Sequence, residues 1–292
     1  MGSTSTNKRE KLSSKLARVL NSAISFVIAY MIIIFLFSIV TAFVGKLFGF
    51  DANISYAGLK FELGRHKWNA FNITVIWSFG TIFTALLGGF FFYVFSEFKS
   101  RTHLANLVFL WAAVIAISIV AAQGILPCME PGERLACYTN LTVVYNWLSI
   151  PLPVAYILAA VFVTFLVFFS IYTSKAFLAF SYTFSKVNKA ARKRKYFFET
   201  VLLPYLLGGW VILAFNHYTY PSVNFFVINV IYLATIGVSL AISFLVTNIN
   251  DVKSEEVMRY KTLQTVSSTL FMIFVMLLIF FTTANRGFYL PF

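Results

Sequence analysis

The stretch Lys186-Val-Asn-Lys-Ala-Ala-Arg-Lys-Arg-Lys195 holds six basic residues in ten and lies between two long apolar runs. Carrying so dense a positive charge across a bilayer is very costly, and short basic loops stay on the cytoplasmic side. We therefore expect this stretch to be a cytoplasmic loop that joins two membrane-spanning helices. The cytoplasmic position of this loop sets the direction in which every other apolar run crosses the membrane.

The composition is that of a membrane protein. Sixty per cent of the residues are hydrophobic and eleven per cent are charged, whereas about a quarter are charged in a soluble domain. The sequence thus predicts an all-α fold, a polytopic integral membrane helix bundle. The net charge of +13 would indicate nucleic acid binding in a soluble protein, but here most basic residues flank apolar runs. We interpret these basic residues as the ones that orient the protein in the membrane and attract anionic lipid at the cytoplasmic face, and we expect no nucleic acid partner. The residues expected to set the topology and contact this lipid are Lys186, Lys189, Arg192, Lys193, Arg194 and Lys195.

Seven apolar runs have about the length needed to cross 30 Å of hydrocarbon. They follow a basic segment, residues 1–19, in which Leu12 and Leu16 have helical spacing and predict a short helix on the cytoplasmic surface. Residues 20–292 are expected to form a single transmembrane domain. The predicted spans are about 21–46, 73–95, 104–126, 149–174, 200–216, 223–247 and 263–283.

Basic residues are divided unequally between the two sides of this arrangement. The N-terminal segment and the loops on its side hold most of the Lys and Arg. The opposite side holds only Lys46, Lys60, Arg65, Lys67, Arg134 and Arg286. The N-terminus is therefore predicted to be cytoplasmic and the C-terminus to lie outside, in a plasma or inner membrane.

Small residues recur every four positions in two of the predicted spans. They are Gly80, Thr84 and Gly88 in the second, and Thr235, Ser239 and Ser243 in the sixth. Such stripes let membrane helices approach closely, so we expect them at helix contacts.

Ionisable side chains are missing from the middle of the predicted spans. Every Asp and Glu lies in a loop or at the end of a span, whereas proton relays and ion-coupled carriers need such groups inside the membrane. The three histidines show no zinc-binding spacing. We therefore predict no metal, no cofactor and no catalytic residue, and we expect no enzymatic activity.

Six polar side chains form the candidate polar site of the predicted spans, most of them near the outer ends. Interhelical hydrogen bonding, or contact with interfacial water, is the plain interpretation. The alternative is a small polar cavity or a site for a lipid headgroup. The six residues are Gln123, Asn146, Asn216, His217, Asn224 and Asn229.

The two cysteines, Cys128 and Cys137, are nine positions apart in one predicted outer loop, with Pro131-Gly132 between them. On the oxidising side of a membrane such a pair is expected to form a disulfide bond. A reactive dithiol is the alternative, but the CxxC spacing typical of one is missing.

The order of features from Phe37 to Thr84 resembles the site-2 intramembrane metalloproteases, in which a helix with an HExxH motif leads into a polar β-rich stretch and a second helix. Residues 54–71 alternate in the manner of a β-hairpin, with turn residues at Gly64-Arg65. Three stretches resemble motifs of that family. The stretch Ala42-Phe-Val-Gly-Lys-Leu-Phe-Gly-Phe50 resembles its ALAARLFGV motif, and Gly80-Thr-Ile-Phe-Thr84 stands where its GPxxN motif would be. The stretch Asn146-Trp-Leu-Ser-Ile-Pro-Leu-Pro153 resembles its NLLPxPxL motif.

The residues that would bind zinc in that family are replaced in this chain. Phe37, Ser38 and Thr41 stand where the family has His, Glu and His, and Val154 or a neighbour stands where it has Asp. A zinc-activated water needs metal ligands and a general base, and this chain keeps none of them. The resemblance implies a proteolytically inactive relative whose pocket serves as a binding groove or scaffold.

Two functions from different classes fit these observations. The first is a non-enzymatic membrane subunit or scaffold that packs with other membrane proteins, with residues 51–71 and the Cys128–Cys137 loop on its outer face. The second is a small transporter or lipid-binding protein with a cavity among Asn146, Asn216 and Asn229. A protein partner in constant ratio would favour the first, and bound lipid in a lone monomer the second.

Overall fold

The computed structural model describes residues 3–55, 58–62, 68–98, 103–129, 140–181, 187–219, 223–249, 273 and 288–289. Six helices in this part of the chain are long and apolar enough to cross a bilayer. The chain is thus a multi-pass membrane helix bundle, as its composition predicts. The elements are α1 (Ser3–Leu47), β1 (Asp51–Ser55), β2 (Gly58–Glu62), α2 (Ala70–Phe98), α3 (His103–Met129), α4 (Asn140–Trp147), α5 (Leu152–Ala179), α6 (Ala190–Phe197), a π-helix (Phe198–Leu202), α7 (Leu203–Thr219), α8 (Val223–Val246) and β3 (Phe288–Tyr289).

Helix α3 lies at the centre of the bundle and contacts α1, α2, α4, α5 and α8. Its sequence explains this position, because buried alanines such as Ala112 and Ala116 let neighbouring helices approach. Trp111 fills the space that remains, with its ring centroid 5.0 Å from that of Phe26 in α1 and 4.9 Å from that of Phe177 in α5. Helices α1 and α3 therefore form much of the interior.

The stripe of small residues in α2 lies against both interior helices. A side chain at Gly80 would overlap the Thr41 hydroxyl of α1, and a Cβ at Gly88 would come within 2.8 Å of Ile117 in α3. The absence of a side chain at these two positions sets the distance of α2 from α1 and α3. This is the close helix contact that the sequence pattern predicts.

Strands β1 and β2 lie between α1 and α2 and pair antiparallel. Ser55 pairs with Gly58, so the chain reverses between these two residues. This is earlier than the Gly64-Arg65 turn that the sequence favoured, and Gly64 and Arg65 lie outside the described residues. Alternation alone does not locate a turn, because the strands on both sides of it share the same period of two residues.

An aromatic cluster holds the two strands on the ends of α1 and α2. The rings of Phe50 and Trp68 are stacked 4.2 Å apart, and Phe61 of β2 packs edge-on against Trp77 of α2 at 5.6 Å. Ile54 of β1 is fully buried beneath the sheet, beside Ala42 of α1. The strands are therefore packed onto the bundle rather than suspended above it.

Strand β3 completes a sheet of three strands in the order β2-β1-β3. Phe288 and Tyr289 pair antiparallel with Ile54 and Asn53 of β1. We call the end of the bundle that carries this sheet the sheet end. The opposite end, where Lys15, Arg18 and α6 lie, is called the basic end below.

Helix α1 is continuous from Ser3 to Leu47, whereas the sequence indicated a short helix in residues 1–19 followed by a separate span. The segment from 3 to 44 contains no Gly or Pro, so nothing in it favours a helix end. The predicted span 263–283 lies outside the described residues, apart from Ile273. That residue is helical and packs beside Ile24 and Ile28 of α1.

The basic stretch 186–195 is not a loop throughout, which corrects the sequence-based expectation. Residues from Ala190 onward form α6, which continues through the π-helix into α7. Alanine, lysine and arginine are strong helix formers, and the apolar side of α6 buries Tyr196 and Phe197. The helix that contains the fifth span therefore begins well before residue 200.

Helix α5 begins at Leu152, not at Ser149 as predicted for the fourth span. Helix α4 ends at Trp147, and Ser149 has a φ of 49° in the left-handed region. Proline disfavours helical backbone in the residue before it, so Pro151 keeps Ile150 out of a helix, whereas Pro153 lies in the first turn of α5, where proline is tolerated. The chain therefore breaks between a short surface helix and the span.

Candidate functional site

Gln123, one of the predicted polar residues, is buried in α3 and hydrogen-bonded to two other helices. Thr81 of α2 donates a hydrogen bond to Gln123 Oε1 at 2.7 Å. Gln123 Nε2 donates to the Tyr232 hydroxyl of α8 at 3.4 Å. Because an unpaired amide is costly in an apolar interior, these bonds tie α2, α3 and α8 together.

Asn229 of α8 is also buried and joins that helix to α1. The Tyr30 hydroxyl of α1 donates a hydrogen bond to Asn229 Oδ1 at 2.5 Å. Asn229 and Tyr232 are three residues apart and are neighbours on one face of α8. The structure thus brings Gln123 and Asn229 together within about one turn of α8, where four helices meet.

The other four predicted polar residues do not join this contact in the described part of the chain. Asn146 is exposed on the surface helix α4 and not in a span. Asn216, His217 and Asn224 lie in α7 and α8, and their side chains are outside the described residues. A polar cavity among these residues therefore stays a prediction.

Cys128 is half-buried near the end of α3 and is a free thiol in this structure. Tyr145 of α4 is close by. Burial raises the pKa of the Tyr145 hydroxyl, and negative charge on Cys128 raises it further. No disulfide bond is seen at Cys128, and Cys137 lies outside the described residues. The bridge between them remains a prediction.

A row of hydroxyl groups joins α5 to α8 in the half of the bundle nearer the basic end. Ser170 and Ser239 lie with their hydroxyl oxygens 2.7 Å apart, and Ser243 donates to the Ser170 carbonyl oxygen at 2.7 Å. Ser239 and Ser243 belong to the stripe of small residues in α8. The stripe therefore combines close packing with hydrogen bonding between helices.

Arg18 of α1 is a buried charge at the basic end, with 7% of its side chain exposed. Its Nη2 donates to Glu199 Oε2 at 3.2 Å, and its guanidinium carbon lies 5.5 Å from the centroid of the Tyr196 ring. Lys15, about one helical turn earlier, donates to Glu199 Oε1 at 3.2 Å. Each carboxylate oxygen of Glu199 thus faces one cation of α1.

Glu199 lies in the π-helix, a rare conformation that is frequent at functional sites. The Ser22 hydroxyl of α1 donates to the Thr200 carbonyl oxygen at 2.7 Å, and Trp111 Nε1 of α3 donates to Ser22 Oγ at 3.3 Å. The π-helix is therefore hydrogen-bonded to α1 through Ser22, and α3 in turn holds the Ser22 hydroxyl. We define Lys15, Arg18 and Glu199 together as the basic-end cluster. Sequence reasoning missed this cluster, although the lone acidic Glu199 four residues after Lys195 was an available signal.

The basic residues assigned to lipid contact do not all have the same position. Lys189, Arg192, Arg194 and Lys195 are exposed, whereas Lys193 is buried with 4% exposure. Lys186 lies outside the described residues. The helical geometry of α6 makes this division, because Lys193 falls on the same face as the buried Tyr196 and Phe197.

The positions that resemble the metalloprotease motifs are partly in contact. Gly80 lies directly against Thr41 and Phe37, and Ser38 is buried. Among the residues that the structure describes, no group of three His, Cys, Asp or Glu side chains could hold a metal ion.

Comparison with known proteins gives no further assignment. No protein-family model, no curated protein and no solved structure matches this chain.

Proposed function

We propose that the protein is a non-enzymatic multi-pass membrane subunit or scaffold that packs with other membrane proteins. The observation that supports this proposal is that polar side chains in the interior form hydrogen bonds between helices. Gln123, Asn229, Ser170 and Ser243 each hydrogen-bond to a neighbouring helix. A carrier that opens a path between its helices would have to break several of these bonds in each cycle, whereas a scaffold keeps them.

Helix α5 offers the surface for a partner. Its inner face packs on α3 and α8 through residues such as Leu166 and Ser170. Aromatic side chains supply large contact areas at helix interfaces, and several lie on the outer face. The large exposed side chains of α5 include Tyr156, Ile157, Val161, Phe165, Phe168 and Tyr172.

Site-specific photocrosslinking in native membranes tests the proposal. A photoreactive residue at Ile157, which is 65% exposed, should give one discrete protein adduct. The matched control is Leu166 on the inner face, at 2% exposure, which should give none. A lone monomer that purifies with lipid, without a protein adduct from Ile157, would contradict the subunit proposal and favour the lipid-binding alternative.

The proposed topology has seven spans, with the N-terminus and α6 in the cytoplasm and the sheet end outside, together with the loop of the two cysteines. Helix α1 runs from the basic end to the sheet end, and each later span reverses direction, so α8 ends at the basic end. Strand β3 pairs with β1 at the sheet end. This arrangement supports one more crossing, the predicted span 263–283, and a location in a plasma or inner membrane.

A second candidate is a proteolytically inactive relative of the site-2 proteases. It is favoured by the contact of Gly80 with Thr41 and Phe37, because these positions belong to the two motifs that resemble that family. Elemental analysis of purified protein should then find no stoichiometric zinc. Zinc at one atom per chain, lost on substitution of His66 or His217, would contradict an inactive relative.

A further inference from the structure

We infer that Arg194 and Lys195 of α6 bind the phosphate groups of anionic phospholipids as the principal contacts, and that Lys189, the residue just before α6, is a weaker one. The inference requires only that the helices cross a bilayer. It does not depend on the protein partner proposed for α5, so either proposal can fail alone.

The depth of these residues is the first argument. The exposed apolar surface of this span begins at Phe198, which is 48% exposed. At 1.5 Å per residue, Lys195 and Arg194 lie about 5 and 6 Å from that point, and Lys189 lies about 14 Å from it. The headgroup layer on each side of the hydrocarbon is about 5–8 Å thick. Arg194 and Lys195 are therefore at the level of the phosphates, and Lys189 is beyond them.

The charge at this depth is the second argument. Glu199 is the acidic residue of this helical region, and it already faces Lys15 and Arg18. The ion pairs of the described residues do not include Lys189, Arg194 or Lys195. The exposed surface of α6 is thus strongly positive, and an anion is its complement.

This depth also selects the kind of partner. A nucleic acid or an acidic protein would have to displace the headgroups to reach residues about 5 Å from the hydrocarbon. A lipid phosphate is already there. Each basic residue near an anionic membrane surface contributes about 1 kcal/mol, which corresponds to about a fivefold change in affinity.

Native mass spectrometry of the full chain in detergent, titrated with phosphatidylglycerol or phosphatidylcholine, tests the inference. The unmodified protein should retain phosphatidylglycerol in preference to phosphatidylcholine. The variant Arg194→Gln/Lys195→Gln should lose about 25-fold in affinity for phosphatidylglycerol. Lys189→Gln should lose less than about fivefold, because this residue lies farther from the bilayer.

The charge-retaining variant Arg194→Lys/Lys195→Arg is the matched control and should bind like the unmodified protein. Equal retention of the two lipids by the unmodified protein would overturn the inference. So would a larger loss from Lys189→Gln than from the double variant, since the assignment by depth would then be wrong. Displacement of bound phosphatidylglycerol by a short DNA oligonucleotide would point to a nucleic acid surface instead.

Discussion

Replacing Glu199 with glutamine tests how the basic-end cluster holds α1 to the π-helix. The substitution keeps the size of the side chain but removes the charge that faces Arg18 and Lys15 at 3.2 Å. Arg18 then keeps its contact with Tyr196 but loses its counter-charge. We expect the free energy of unfolding to fall.

The size of this loss follows from the burial of the partners. Removing one member of a fully buried pair costs about 3–5 kcal/mol, and an exposed pair contributes about 0–1 kcal/mol. Arg18 is 7% exposed but Glu199 is 23% exposed, so we expect an intermediate loss of about 2 kcal/mol. Lys15 is 51% exposed, and Lys15→Gln should cost at most about 0.5 kcal/mol.

Unfolding in mixed micelles, followed by tryptophan fluorescence as the share of denaturing detergent rises, measures these losses. A double-mutant cycle with Arg18→Met isolates the pair, and its coupling energy should exceed about 1 kcal/mol. If Glu199→Gln and Lys15→Gln destabilise equally, or if the coupling energy is near zero, the ion pair does not hold the helices together.

Three further predictions concern packing, the outer loop and topology. Gly80→Leu should lower the free energy of unfolding by at least about 1–3 kcal/mol through overpacking. Gly89→Leu is the control and should have little effect, because a Cβ at Gly89 meets nothing within 4 Å. Equal effects of the two substitutions would show that α1 and α2 do not approach closely at Gly80. Replacing Cys128 and its predicted partner with serine should leave insertion intact and make the outer loop more sensitive to protease, and alkylation of both thiols without reductant would show that the bridge is absent. Reporters fused after Lys195 and after Phe292 should lie in opposite compartments, and matching compartments would mean that the number of spans is miscounted.

The sequence predicted the six described membrane-spanning helices well because the bilayer constrains each one separately. A crossing needs about 20 apolar residues, and this requirement can be read from each run without knowing its neighbours. Helix α3, for example, was expected at 104–126 and extends from His103 to Met129. The start of α5 was less well predicted, because the effect of Pro151 on the backbone is local and does not change the apolar content of the run.

The sequence pattern could not predict which residues of different helices are in contact. Gln123 and Asn229 could be chosen as polar residues in an apolar run, but their partners Thr81 and Tyr30 are among many hydroxyl groups that could have faced them. The pairing depends on the rotation of each helix about its axis, which is fixed by packing. The contact of Arg18 with Glu199 has the same origin, since these residues are 181 positions apart.

The pairing of β3 with β1 has a consequence for the order of folding. Asn53 and Tyr289 are 236 positions apart, and all the helices from α2 to α8 lie between them. During synthesis β1 and β2 can pair at once, but one edge of β1 has to wait until those helices have been inserted. An unpaired edge readily takes up other extended segments, and closing so long a loop is slow. The pairing of β3 with β1 is therefore a late step in building this protein, and a chain halted before that step would expose an open strand edge outside the membrane.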